Sequence, residues 1–164
     1  MNKIIKERRS VRKFIDKEIP DDIIKEIVKA SMQAPSARNQ QPWLIHIEKD
    51  KDVIKNMAES FPTLKWGANA SCVLVYLMKT DESISIMAPQ DMASSVTLAL
   101  LEAENQGVGA CWGGVYPREE RMNLAREVFN LKDSSYLPFA IVPLGYPEGE
   151  AYYFVDRFSE DRLV

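Results

Sequence analysis

Apolar residues recur at helical spacing along three stretches of this chain. Behind Pro20, Asp21 and Asp22, the positions Ile23, Ile24, Ile27, Val28 and Ser31 form one stripe. The spacing predicts a helix that stops near Ala34, because Pro35 disfavours helical geometry in the residue before it. Asp52 opens a second stripe, Val53, Ile54, Met57, Ala58 and Phe61, which Pro62 ends. Pro117, Glu119 and Glu120 suit a first helical turn, and Met122, Leu124, Ala125, Val128 and Phe129 follow as its buried face. A fourth helix, beginning at Asp91, has a different character. From Met92 to Ala103 it is apolar or small on almost every side, interrupted by Ser94, Ser95 and Thr97 before Glu102. A helix without a wet face is surrounded by protein. We expect it to serve a subunit interface; the alternative is a central helix wrapped by its own chain.

The strand signals are fewer. Trp43–Glu48 and Ser71–Lys79 are short, rich in β-formers and bounded by loop residues, and Tyr136–Leu144 is a third candidate. Gly109–Tyr116 is a fourth, diluted by glycine. Helices and strands mix without a βαβ rhythm, which predicts an α+β fold, a small sheet covered by helices, in a single domain over residues 1–164. The aromatic segment after Gly149, with Tyr152, Tyr153, Phe154 and Phe158, has no regular period. It is expected to lie across another surface, such as a partner chain's.

Composition narrows the function. With 46% apolar and 27% charged residues the chain is of ordinary globular make-up, and burial of about 70% of the unfolded surface needs no disulfide framework. The net charge of −3 argues against a nucleic-acid partner. The longest apolar run, Cys72 to Met78, is far short of a membrane span, and the opening MNKIIKERRS offers no apolar leader. A cytoplasmic protein with Cys72 and Cys111 as buried, reduced thiols is the expectation. His46, the lone histidine, is read as a strand residue without chemistry, and no metal is expected.

Three segments carry candidate chemistry. Arg8-Arg9-Ser10-Val11-Arg12-Lys13 sets four cations and a hydroxyl within six residues of an acidic chain, which suits a phosphate; the alternative is a solvated helix end. The stretch from Ala34 to Trp43, APSARNQQPW, displays three carboxamides between two prolines. Carboxamides donate and accept, as the edge of a neutral heterocycle demands, though polar surface loops are common. Gly107–Gly114 holds four of the seven glycines, which lets backbone approach a flat group or simply make a tight turn. Neither the dinucleotide fingerprint nor a Walker loop is present. A phosphate, a hydrogen-bonding heterocycle and a flat face together describe flavin mononucleotide (FMN).

On RRSVRKF, APSARNQQPW, GVGACWGG, the GYP at 145–147 and the closing DRFSEDRLV, the chain resembles the FMN-dependent nitroreductase family over nearly its whole length. The resemblance implies a central, mostly antiparallel sheet covered by helices. It also implies an intertwined homodimer with an exchanged C-terminal tail and two shared FMN sites. Arg8, Arg9, Ser10 and Arg12 would hold the phosphate, ribityl chain and pyrimidine edge, and Arg157 would pair with the phosphate. Pro35, Ser36, Ala37 and Asn39 would come from the other subunit, while Cys111, Trp112, Gly113 and Gly114 line the ring. Two positions depart from the family: Val155 stands where relatives often place a lysine, and Thr97 lies near a frequent asparagine. The implied activity is an NAD(P)H-dependent ping-pong reaction with no obligatory side-chain acid or base. NADH or NADPH gives hydride and leaves, and a nitroaromatic, a quinone or a related conjugated acceptor takes the electrons from the same place. The alternative is an FMN carrier or sensor without turnover.

Overall fold

Cys72–Lys79 is a strand (β2) whose first seven residues are all buried, and that two-sided burial explains why the run is continuously apolar rather than alternating. Its even-numbered residues Leu74, Tyr76 and Met78 share a core with Ile24, Ile27, Met92, Val96 and Ala99. Its odd-numbered residues Val73, Val75 and Leu77 join Ile54, Met57, Phe61, Ala125 and Phe129. The sheet is therefore the middle of three layers.

In this computed structural model, which describes residues 1–81, 84, 86–149 and 154–164, the elements follow in order. They are α1 (Lys3–Glu7), α2 (Asp21–Ser31), β1 (Trp43–Glu48), α3 (Lys51–Ser60), β2, α4 (Ala88–Asn105), β3 (Gly109–Ala110), β4 (Gly113–Gly114), α5 (Glu119–Val128) and β5 (Tyr136–Gly145). Strand order is β1-β2-β5-β3, with β4 also on β5, and every pair is antiparallel. Trp43 pairs with Met78 and Cys72 with Leu144, with a register shift after Tyr76. Helices α2 and α4 cover one face, α3 and α5 the other. The fold class is α+β, as expected.

Boundaries depart from the sequence reading in several places. Helix α2 ends at Ser31, three residues early, because the amides of Gln33 and Ala34 turn to the carbonyls three residues back. Helix α4 begins at Ala88 rather than Asp91, since Pro89 fits the first turn, where its missing N–H costs nothing. Gly109–Tyr116 is not one strand but two pairs of residues, β3 and β4, with Cys111 and Trp112 between them. The short helix α1 was not foreseen; Asn2 Oδ1 caps it by accepting from the Ile4 amide at 2.9 Å. A 3₁₀ segment, Pro62–Asn69, was also missed.

Between α2, α4 and β2 the core contains three hydroxyls. Ser31 Oγ lies 2.9 Å from the Tyr76 hydroxyl and 2.8 Å from Ser95 Oγ, and it donates toward the Ser95 carbonyl at 3.1 Å. Each polar atom there finds a partner, and burial raises the Tyr76 pKa above the ordinary phenol value. Among the described residues, Leu98 and Leu101 of α4, with Ile4 and Ile5 of α1, line an apolar hollow of about 390 Å³. Among the described residues, no helix is long and apolar enough to cross a membrane.

Candidate functional site

The segment after α1 is held as an extra strip along the sheet edge. Ser10 bridges Ala110 in parallel, and the Val11 amide donates to the Ala110 carbonyl at 3.0 Å. Farther on, Ile15 donates to Tyr146 O at 3.0 Å, and Glu148 donates to Lys13 O at 3.0 Å. This strip passes so close to β3 that a Cβ on Gly109 would sit 2.7 Å from Val11 Cγ1 and 2.8 Å from Val11 Cβ. Glycine at 109 is what lets the basic segment lie flat against the sheet.

That placement opens a cleft of about 500 Å³ lined by Arg8, Arg9, Ser10, Val11, Arg12, Lys13, Pro147, Glu148, Val155 and Arg157. Five cations face one carboxylate there, in a chain of net charge −3. Arg9 turns back on α1, donating to Lys6 O at 2.6 Å and Arg8 O at 2.7 Å. Arg12 lies over the Trp66 ring, 5.8 Å from its centroid. Glu104, near the end of α4, has its carboxyl pKa raised by burial and by Glu7, against the pull of Arg8 and Arg9.

Cys111 flanks the cleft. Burial pushes its thiol above the ordinary range, and Arg12 and a hydrogen bond to Ser10 work the other way. Cys72, deep under the sheet, is pushed up to about 12 by burial and is chemically quiet. Beyond Cys111, Trp112 packs against Phe139 with ring centroids 6.0 Å apart. Gly113 is buried against Leu64, whereas Gly114 is exposed and a Cβ built there would meet nothing within 4 Å.

Of the expected site residues, Arg8, Arg9, Ser10, Arg12 and Arg157 converge on the cleft, and Cys111 stands beside them. Pro147 and Glu148, unassigned in the sequence beyond the GYP match, complete its wall. Val155 lines the same cleft and presents an apolar side chain there. Thr97 faces a second hollow shared with Arg8, Arg9 and Arg157, and its hydroxyl donates to the Ala93 carbonyl at 2.8 Å. Pro35, Ser36, Ala37 and Asn39 are not on the cleft. They sit between α2 and β1, where both Asp91 carboxylate oxygens accept from the Ala37 amide at 3.1 Å. Residues 154–158 lie along α1 and α4 of the same chain, with Lys6 5.9 Å from the Phe154 ring centroid; Tyr152 and Tyr153 fall outside the described residues. His46 is on β1 beside Glu48 and Phe129, away from the cleft.

Comparison with known proteins gives consistent matches. The sequence profile described as "Nitroreductase family" matches residues 5–73. A protein of Archaeoglobus fulgidus provisionally named NADH dehydrogenase/NAD(P)H nitroreductase is 39% identical, over 98% of this chain and 94% of that one. A crystal structure provisionally named NADH oxidase, from Clostridium acetobutylicum, superposes with a TM-score of 0.92 at 37% identity, covering 98% of this chain and 97% of that one. A provisionally named nitroreductase of Desulfovibrio desulfuricans, solved with FMN, shares the fold at 22% identity, TM-score 0.79, over 100% and 96% of the two chains.

Proposed function

The chain belongs to the nitroreductase family, and on that premise we propose that it is an NAD(P)H-dependent FMN oxidoreductase. The observation that carries this reading is the cleft itself. Residues from opposite ends of the chain, Arg8 and Arg157, converge on one basic wall in an acidic protein. The volume, about 500 Å³, falls in the usual range of cofactor sites, and guanidinium forks with a serine hydroxyl match a phosphomonoester. The donor set fits the group.

In this reading Arg8, Arg9 and Arg157 bind the phosphate, and Ser10 adds a neutral donor. Arg12 would place positive charge toward the pyrimidine edge, where it favours an electron-rich flavin. Cys111, Trp112, Gly113 and Gly114 present backbone along the ring. Bound FMN would supply the hydride and electron chemistry, so the protein has no need of an acid–base pair. NADH or NADPH is the donor, and a nitroaromatic, a quinone or another small conjugated acceptor is the oxidant.

The second half of each site would come from another copy of the chain. The Ala37 amide is anchored to Asp91, which holds this loop off its own cleft, and α1 and α4 line an apolar hollow. A homodimer accounts for both, and because residues 154–158 already lie on their own chain, the Arg8–Arg157 wall needs no exchanged tail.

The direct test is anaerobic addition of NADH or NADPH to the FMN-loaded protein. The yellow colour should bleach and return with an acceptor; a loaded protein whose spectrum ignores both nucleotides is a carrier or sensor instead. A finer check uses Gly114→Ala. Its new methyl group meets nothing in the protein, so the apo-protein should melt within about 1 °C of the original. If residue 114 lines the flavin, the same variant should bind FMN about three- to tenfold more weakly in a fluorescence titration. Equal affinity would remove Gly114 from the site.

A further inference from the structure

The loop from Ser36 to Gln41 is built from residues in an awkward conformation. Arg38, Asn39 and Gln41 have φ of 54°, 55° and 47°, the left-handed region that a Cβ disfavours, and none of them is glycine. Within the loop, Asn39 N donates to Ser36 O at 2.9 Å, Gln41 N to Ser36 Oγ at 3.0 Å, and Gln41 Nε2 to Asn39 Oδ1 at 3.0 Å. These bonds shape the loop from within. Its far end is fixed by Lys79 N donating to Pro42 O at 2.8 Å. Its near end hangs on Asp91, which is 8% exposed and accepts the Ala37 amide on both carboxylate oxygens across 54 residues of sequence.

We infer that Asp91 is a positioning residue for flavin binding in trans. From the first turn of α4 it sets where the Ser36–Asn39 backbone and side chains meet the partner's FMN. Helix α4 also carries Leu98 and Leu101, which line an apolar hollow with α1, so one rigid element would fix both a contact between protomers and the loop reaching across it. The inference rests on the flavin reading above. It adds a residue that touches neither cofactor nor substrate.

A carboxylate in a helix's first turn also favours the helix dipole, and substitution separates that role from positioning. Asp91→Asn keeps one acceptor oxygen at the same reach and drops the charge. Asp91→Glu keeps the charge and moves the oxygens by one methylene. Asp91→Ala removes both. FMN affinity, the visible spectrum of the bound flavin and the sedimentation mass are read for each variant beside the unmodified protein. Positioning predicts that Asp91→Asn binds within about threefold of the original, with the same absorbance fine structure. Asp91→Glu and Asp91→Ala should bind about tenfold or more weakly while remaining dimers. Should Asp91→Ala fail to fold, the Asn and Glu variants still decide. A charge role gives the reverse order, Glu unchanged and Asn weakened, and that order overturns the inference, as does equal affinity in all three. Failure of the flavin reading looks different: the unmodified protein then takes up no FMN.

Discussion

Arg8→Ala is expected to weaken FMN binding about ten- to a hundredfold, the largest effect foreseen for a single side chain. Arg8 is half-buried where the cleft meets the tail hollow, and Arg157 arrives at the same place from the other end of the chain. A charge-assisted contact between guanidinium and phosphate contributes roughly 1.5–3 kcal/mol, which converts to that loss of affinity. Titration of apo-protein with FMN, followed by flavin fluorescence, measures it. Lys3→Ala is the matched control: Lys3 is an exposed cation on α1 that pairs with Glu7 and does not line the cleft. Loss of retention in both variants would mean that overall charge acts rather than a site. Retention in both would remove Arg8 from the phosphate.

Gly109→Ala should damage fold and site together. The added methyl would lie 2.8 Å from Val11 Cβ, which is fixed to the backbone, and 3.1 Å from the Gly145 carbonyl oxygen. The basic strip must then move off β3. Overpacking of this kind costs roughly 1–3 kcal/mol, or about 3–10 °C in melting temperature for a chain of this length. Because Ser10 and Arg12 flank Val11, FMN affinity should fall with stability. Trimming Val11 to alanine removes the 2.7 Å contact with Cγ1 but leaves the Cβ at 2.8 Å, so Val11→Ala should give only partial relief. Val11→Gly removes it, and in that background Gly109→Ala should cost far less. Calorimetry of the four-member cycle reads the coupling, and additive losses would show that the contact does not matter.

How far these features were legible in the sequence varied with their physics. The strands β1, β2 and β5 were readable because β-rich apolar runs end at loop residues, and β2 began one residue later than expected. Helix α1 was not readable: five residues, Lys3–Glu7, leave no room for a stripe, and its Asn2 cap is local chemistry that periodicity ignores. Gly109–Tyr116 looked like one weak strand because spacing does not reveal which residues pair with β5. The basic cluster was visible as local composition. Its meeting with Arg157 was not, since no pattern links positions so far apart; the family resemblance supplied that expectation, and the fold brings the two together. The left-handed backbone at Arg38, Asn39 and Gln41 had no glycine to announce it. Asp91 was seen, but as a helix opener. Its second task depends on a neighbour 54 residues away.

The sheet's place between two helical layers also governs how the molecule comes apart. Strands β2 and β5 contribute side chains to both cores, Leu74 and Val142 to one, Val73 and Ile141 to the other. Neither layer can be peeled off without stripping the shared strands of half their packing, so the two halves have no independent existence. Heat or urea therefore meets a single cooperative object that gives way all at once.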